Sequence, residues 1–249
     1  MTFKTLTLFT ASLALAACNA ETSGNAATTN APLNVTPVAA PNGGDWSKVT
    51  AATPEGGFVM GNPAAKVKLI VYGSLTCPHC AEFDETSAKP LIDNYVKKGL
   101  VSWEYRNFVR DPYDITATLV AQCGGAASFF GLLRSFYAEQ ANWIGKLQSL
   151  DPAKLQAMQD LGPQQQFAAI AEAGGFPAFA ALRGVPRAKT AACLADPNAA
   201  SKLVQVNSDA VAQFPGFPGT PTFIINGKML EKTSTWAFLE PKLRETLGG

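Results

Sequence analysis

Short apolar runs bounded by turn residues come between stretches in which apolar positions recur every three or four residues, and their order sets the expected architecture. Val67 to Tyr72 is a run of strand length, and Leu100-Val101-Ser102-Trp103-Glu104-Tyr105 alternates apolar with polar as a strand does. Gly57-Phe58-Val59-Met60 suits an edge strand, followed by a turn at Asn62-Pro63. Phe223-Ile224-Ile225 and Lys228-Met229-Leu230 flank Asn226-Gly227, which reads as a hairpin closed by a type I′ turn. Helical spacing predicts a helix from Cys77 towards Lys98, with a bend or break near Pro90, which withholds a hydrogen bond. Further helices are expected over Ile115 to Gln122, Ala126 to Gln140 and Thr235 to Leu247. Phe129, Phe130, Leu133, Phe136 and Tyr137 read as core rather than ligand site. Gly174-Gly175-Phe176-Pro177 and Arg183-Gly184-Val185-Pro186 mark loops, and there is no internal repeat.

Composition narrows the class without changing this outline. With 249 residues, 47% hydrophobic and 16% charged, the chain suits one domain with a sizeable core. The net charge of +1 and the lack of Lys/Arg clusters interleaved with aromatics argue against a nucleic-acid partner. Lys97-Lys98 and Arg106 to Arg110 read as solvated helix ends or loop. The apolar run Leu6 to Ala17 is too short to span a membrane and reads as an export signal. Residues 19–45 are mostly Ala, Thr, Asn, Pro and Gly and cannot bury enough surface to fold. As a tether they would span roughly 30 Å on average and about 90 Å when stretched. The folded part is expected to begin near Trp46.

The chemistry concentrates at Cys77-Pro78-His79-Cys80, directly after the central apolar run. A helix starting at the first Cys aims unsatisfied backbone amides at its sulfur while keeping the second sulfur within bonding reach, which suggests a redox pair. Pro78 suits the first helical turn, and His79, if protonated, would add positive charge. Cys77 is therefore expected to be the acidic, exposed nucleophile, with a pKa in the range of roughly 3.5 to 7.5, and Cys80 the resolving thiol. A zinc site would need four ligands, and the chain has one histidine and no second cysteine pair at this spacing, so no metal or other cofactor is expected. A purely structural Cys77–Cys80 bridge is the remaining bland alternative. Further on, Gly219-Thr220-Pro221-Thr222 opens the predicted hairpin, and Thr220-Pro221 is a candidate cis bond.

In this order, Cys77-Pro78-His79-Cys80, the continuation Ala81-Glu82-Phe83-Asp84-Glu85 and the later Thr220-Pro221 resemble the thioredoxin-like DsbA family of envelope thiol-disulfide oxidoreductases, over roughly Gly57 to Leu247. The resemblance implies an α/β thioredoxin-like fold, a central mixed sheet flanked by helices with an inserted helical domain. Residues 46–110 and 215–249 would form the two parts of the thioredoxin-like unit and 111–214 the helical insertion. It implies that Thr220 and Pro221 sit against Cys77 and Cys80 and contact extended substrate. It also implies cysteine-containing exported proteins as substrates and a membrane or envelope partner that recycles the active site. Val71 stands where many thioredoxin-fold oxidoreductases carry a buried carboxylate, which leaves proton handling at Cys80 unassigned. Thr220 precedes the proline as in some isomerase branches, so disulfide isomerase or reductase activity is an alternative to net oxidation. A glutathione-dependent small-molecule enzyme and a non-catalytic lipoprotein that binds unfolded chains are rivals from other classes.

Leu15-Ala16-Ala17-Cys18 resembles a bacterial lipoprotein signal, which makes residues 1–18 the signal segment, Cys18 the lipidated residue and the cell envelope or periplasm the expected location. Cleavage after Ala20 without a lipid is the alternative. Of the five cysteines, Cys18 and the pair at 77 and 80 leave Cys123 and Cys193. In an oxidising compartment these could form a structural disulfide worth on the order of 4 kcal/mol, or remain two small buried hydrophobes that never meet. Phe214 and Phe217, in the Gly-Pro-rich approach to Thr220, read either as an exposed apolar patch or as rings packed under the loop. The chain is expected to act as a monomer.

Overall fold

The computed structural model describes residues 1–2 and 35–248; Cys18, the run Leu6 to Ala17 and the tether through Asn34 lie outside the described residues. Among the described residues six strands form one mixed sheet in the order β1-β2-β4-β3-β5-β6: β1 (Thr50–Ala52), β2 (Phe58–Gly61), β3 (Val67–Gly73), β4 (Val101–Asn107), β5 (Thr222–Ile225) and β6 (Lys228–Met229). Only β3 and β4 are parallel, and β3 lies in the middle, with Val71 facing Tyr105 on one side and Phe223 on the other. Burial on both faces explains why the β3 sequence runs nearly unbroken in apolar residues. The hairpin closes through Asn226 (φ 49°) and Gly227 (φ 82°), the two positive values that a type I′ turn requires.

After β3 the chain enters α1 (Pro78–Phe83), a π-helical turn (Asp84–Ala88), α2 (Lys89–Leu91) and a second π-helical turn (Ile92–Val96). Near Pro90, where a bend or break is expected, the chain leaves regular α geometry but remains helical. The wider turns on either side of α2 keep the chain helical past a proline that donates no hydrogen bond. Between β4 and β5 run α3 (Pro112–Cys123), α4 (Ala126–Ala138), α5 (Gln140–Gln148), α6 (Pro152–Gln159), α7 (Pro163–Gly174), α8 (Phe176–Ala181), α9 (Arg187–Ala195) and α10 (Ala199–Gln213); α11 (Trp236–Leu247) ends the fold. A disulfide joins Cys123 of α3 to Cys193 of α9, with Cα atoms 5.9 Å apart.

The main core lies on the sheet face of Leu69, Val71 and Phe223 and continues into α3, α4, α7 and α11. On the opposite face α10 packs Val206, Ala210 and Phe214 against Tyr72 and Ile224. By packing, then, α10 is a layer of the sheet unit although it falls within the segment 111–214. Phe214 is buried, and Phe217 stacks on Phe108 at 4.9 Å and meets Tyr72 edge-on at 5.4 Å, so the two rings pack under their loop and form no free apolar patch. Arg106 departs from its expected solvated role. It is buried, with Nε donating to Glu104 at 2.7 Å and Nη1 to the Tyr72 hydroxyl at 3.1 Å, because it lies on the interior strand β4, where Glu55 also comes within 3.7 Å of it. Upstream of Trp46, the Val38 amide donates to the Lys98 carbonyl at 2.9 Å and Val35 packs on the core, so contact with the folded body begins within the expected tether.

Phe129 is fully enclosed, stacked on Phe58 at 4.1 Å and tilted against Tyr105 at 6.0 Å, and thereby joins the helical insertion to the sheet. Phe129→Ala should cost about 3–5 kcal/mol in denaturant unfolding of the oxidised protein. A loss below about 1 kcal/mol would show that this contact does not join the two layers.

Candidate active site

Strand β3 ends at Gly73, and the four residues Ser74 to Cys77 turn the chain into α1. Cys77 occupies the N-cap in an extended conformation (φ −87°, ψ 118°), and its carbonyl accepts the amides of Cys80 and Ala81, each at 3.2 Å. Pro78 takes the first helical position, where its missing N–H costs no bond. Both thiols are free, and each residue is only 3% exposed. The expectation of an exposed Cys77 is thus corrected: the Thr220–Pro221 bond is cis, and the loop it shapes lays the Thr220 carbonyl 3.3 Å from Cys77 Sγ. The His79 side chain is 75% exposed, with Nδ1 3.5 Å from Glu82 Oε2, and the charge of Arg110 acts on Cys77.

The two sulfurs are polarised in opposite directions. Cys77 is held down to about 5, chiefly by the hydrogen bond from the Cys80 thiol, then by the Thr220 side chain, the Cys80 amide and the Arg110 charge; burial opposes these and is overcome. Cys80 is pushed well above the ordinary thiol value by burial first and then by its hydrogen bond to Cys77 and that sulfur's charge. One thiol is ready to attack or leave at neutral pH, while the other retains its proton.

Residues of α3, α4 and α5 hold the turn. Asp111 caps α3 by accepting the Asp114 amide at 2.9 Å, and its other oxygen accepts the Thr76 hydroxyl at 2.9 Å. Asp114 is fully buried and accepts the Leu75 amide (2.8 Å), the Ser74 hydroxyl (2.6 Å) and the Arg110 amide (3.0 Å). Burial raises its carboxyl to about 7 against those bonds. Gln140 Nε2 donates to the carbonyls of Leu75 (2.8 Å) and Cys77 (3.0 Å). The Tyr137 hydroxyl donates to the Ser74 carbonyl at 3.1 Å and is hydrogen-bonded to the Tyr105 hydroxyl, both rings lying behind Cys80. A Cβ at Gly73 would fall 2.1 Å from Tyr105 Oη, so glycine is what admits this buried phenol.

A family model described as thioredoxin matches residues 53–243. The chain belongs to the thioredoxin family. Its helices between β4 and β5 form a helical region inserted in that fold. A solved structure titled protein-disulfide isomerase, from Novosphingobium aromaticivorans, is 37% identical with a TM-score of 0.73, covering 78% of this chain and 98% of that one. Alpha-DsbA1 of Wolbachia pipientis, at 20% identity and a TM-score of 0.59 over 76% of this chain and 90% of its own, shares the fold. A Rickettsia bellii relative bearing the provisional name protein-disulfide oxidoreductase is 27% identical over 188 residues, 75% of this chain and 63% of its own length. The chain therefore spans less than two thirds of that curated relative.

The structure brings Cys77, Cys80, Thr220 and Pro221 together and sets His79 apart. Sequence reasoning missed Arg110, Asp114, Gln140, Tyr105 and Tyr137. A signal was available for Asp114 alone, since Asp111-Pro112-Tyr113-Asp114 has the pattern of a capped helix start.

Two tests follow from the geometry. Cys77 ionises far more readily in the folded reduced protein than in an unfolded chain, so its contribution to stability is complete above the unfolded value and is lost as pH falls towards about 5. The raised carboxyls of Asp84 and Asp114 act oppositely, lowering stability as pH rises from about 4 to about 7. Subtracting the oxidised from the reduced unfolding free energy should isolate the thiol, and the difference should grow from pH 5 to 8 by at most about 1.4 kcal/mol per pH unit; a flat difference would contradict an acidic Cys77. Gln140→Leu should cost about 1–3 kcal/mol by leaving the Leu75 carbonyl without its side-chain donor, and should raise the Cys77 pKa measured by thiolate absorbance.

Proposed function

We propose that the chain is a thiol-disulfide oxidoreductase that forms or exchanges disulfides in cysteine-containing exported proteins, with Cys77 as nucleophile and Cys80 as resolving thiol. The observation that supports it best is the opposite polarisation of two adjacent free thiols beneath the cis Thr220–Pro221 bond. A substrate thiolate attacks Cys77 of the oxidised pair, Cys80 leaves, and the substrate's second thiol attacks the mixed disulfide, releasing reduced enzyme and oxidised substrate. The Thr220 side chain supports the Cys77 thiolate, and the Thr220 backbone offers a pairing edge to an extended substrate segment. Pro78 starts the helix, and His79, exposed beside Glu82, adds positive charge near the site when protonated. Cys123 and Cys193 serve as a structural bridge within the insertion. The signal-like sequence through Cys18 supports export to the cell envelope with a lipid tether, where a membrane redox partner would reoxidise Cys77 and Cys80.

A second reading, disulfide shuffling or reduction, is favoured by the 37% identity to a protein titled a disulfide isomerase and by Thr220 before the cis-proline. A thiol at about 5 lies between those of thioredoxin and DsbA. Equilibration with glutathione should accordingly give a potential between about −270 and −120 mV, and a value below that of thioredoxin would exclude the oxidase reading. Cys80→Ser, expressed in an oxidising compartment, should accumulate covalent adducts with proteins that a reductant releases. An adduct confined to glutathione would contradict protein substrates.

A further inference from the structure

The exchange cycle makes one demand that the residues above do not meet. Cys80 is buried and holds its proton tightly, yet it must release that proton to attack Cys77 and recover it when it leaves. The possible acceptors around it are few. Tyr105 and Tyr137 are neutral phenols that burial holds well above their ordinary ionisation. Asp114 is sealed from solvent, and its oxygens are occupied by Ser74, Leu75 and Arg110. His79 points into solvent beside Glu82.

Asp84 differs from all of these. Its amide donates to the Cys80 carbonyl, so the two side chains lie one turn apart on the same helix face, with Cβ atoms roughly 5–6 Å apart. Cys80, Phe83, Asp84, Ser87 and Leu91 form the buried stripe of this helical segment, and Asp84 puts a carboxylate in it. Asp84 itself lines a groove of 570 Å³, together with Pro78, Ala81, Glu82, Glu85 and Tyr137, through which water can reach its side of the helix. Its cationic neighbour is Arg134 of α4, with Nε at 3.5 Å. The other titratable groups near it are Tyr137 of α4, Glu82 and Glu85, which line the same groove, and Tyr105 of β4, on which its charge acts.

We propose that Asp84 is the proton acceptor and donor for Cys80; the inference rests on the exchange reading above. When a substrate sulfur is bonded to Cys77, the Cys80 S–H bond breaks and the proton passes to the Asp84 carboxylate, directly or through one water in the groove. The Cys80 thiolate attacks Cys77 Sγ. The bond from Cys77 to the substrate breaks, its electron pair leaves with the substrate sulfur as a thiolate, and the enzyme's two sulfurs end as a disulfide. In the opposite direction Cys80 leaves Cys77 with the electron pair and takes the proton back from the Asp84 carboxylic acid. Burial raises this carboxyl to about 6 against the pull of Arg134, near the working pH of such a shuttle.

The test is stopped-flow reaction of the reduced full chain with excess 5,5′-dithiobis(2-nitrobenzoate). Attack by Cys77 releases one thionitrobenzoate in a phase proportional to reagent, and attack by Cys80 on the mixed disulfide releases a second in a phase independent of reagent. In the wild type the second phase should rise with pH and level off above about pH 6. In Asp84→Asn it should be slower by about a hundredfold at pH 7 and climb about tenfold per pH unit without levelling. Asp84→Glu should restore the levelling, and Asp84→Ser, which leaves room for a water, replaces the Asn variant if that one does not fold. Variants that keep the wild-type profile, whatever their stability, would overturn the assignment of Asp84 and reduce its pairing with Arg134 to packing. A wild-type chain lacking the second phase would instead overturn the exchange reading.

Discussion

Everything at the site depends on the turn from Ser74 to Cys77 being held from outside the sheet. A strand that simply ran into a helix would present a cysteine at its N-terminus with no control over where the sulfur lies. Here Asp114 grips the Ser74 hydroxyl and Leu75 amide, Gln140 grips the Leu75 and Cys77 carbonyls, and Tyr137 grips the Ser74 carbonyl. These partners come from α3, α5 and α4, so the helical insertion acts as the clamp for the redox turn. Phe129, locked between Phe58 and Tyr105, carries that clamp to the sheet.

The cis-proline loop completes the site from the opposite side. Tyr72 lies under it, with Phe214 and Phe217 edge-on to its ring and Arg106 on its hydroxyl. The price is accessibility, since a sulfur that ionises readily is also covered, and a partner must reach it past Thr220. Burial itself works against the thiolate, but in a partly closed site each donor acts more strongly than in open water, and together the donors overcome that cost.

Much of this was legible from the residues. The strands β3 and β4, the hairpin at Asn226-Gly227 and the helices at Ala126 and Thr235 follow from periodicity and turn chemistry, because local pattern and tertiary burial agree there. Cys77, Cys80, Thr220 and Pro221 carry motifs that short spacing makes visible. Tyr105 and Tyr137 could not be found in this way, because each sits in an apolar pattern where a tyrosine looks like any core aromatic. Gln140 stands at the end of a helical run, and only the fold brings it to the Cys77 carbonyl. Arg106 and Arg110 look alike in sequence, yet one is buried on the interior strand β4 and the other is exposed and acts on Cys77. At Pro90 the sequence marks a disturbance of the helix but not its form, since π-helical turns absorb a proline that a regular helix cannot.

The central claim is that the chain's geometry makes Cys77 a thiolate at neutral pH while Cys80 stays protonated. Titration of thiolate ultraviolet absorbance in the reduced protein, with the oxidised protein as blank, measures this directly. The account requires one thiol to ionise near pH 5 and the second only above the ordinary range. Two thiols ionising together near pH 8.5, as free cysteines do, would contradict it.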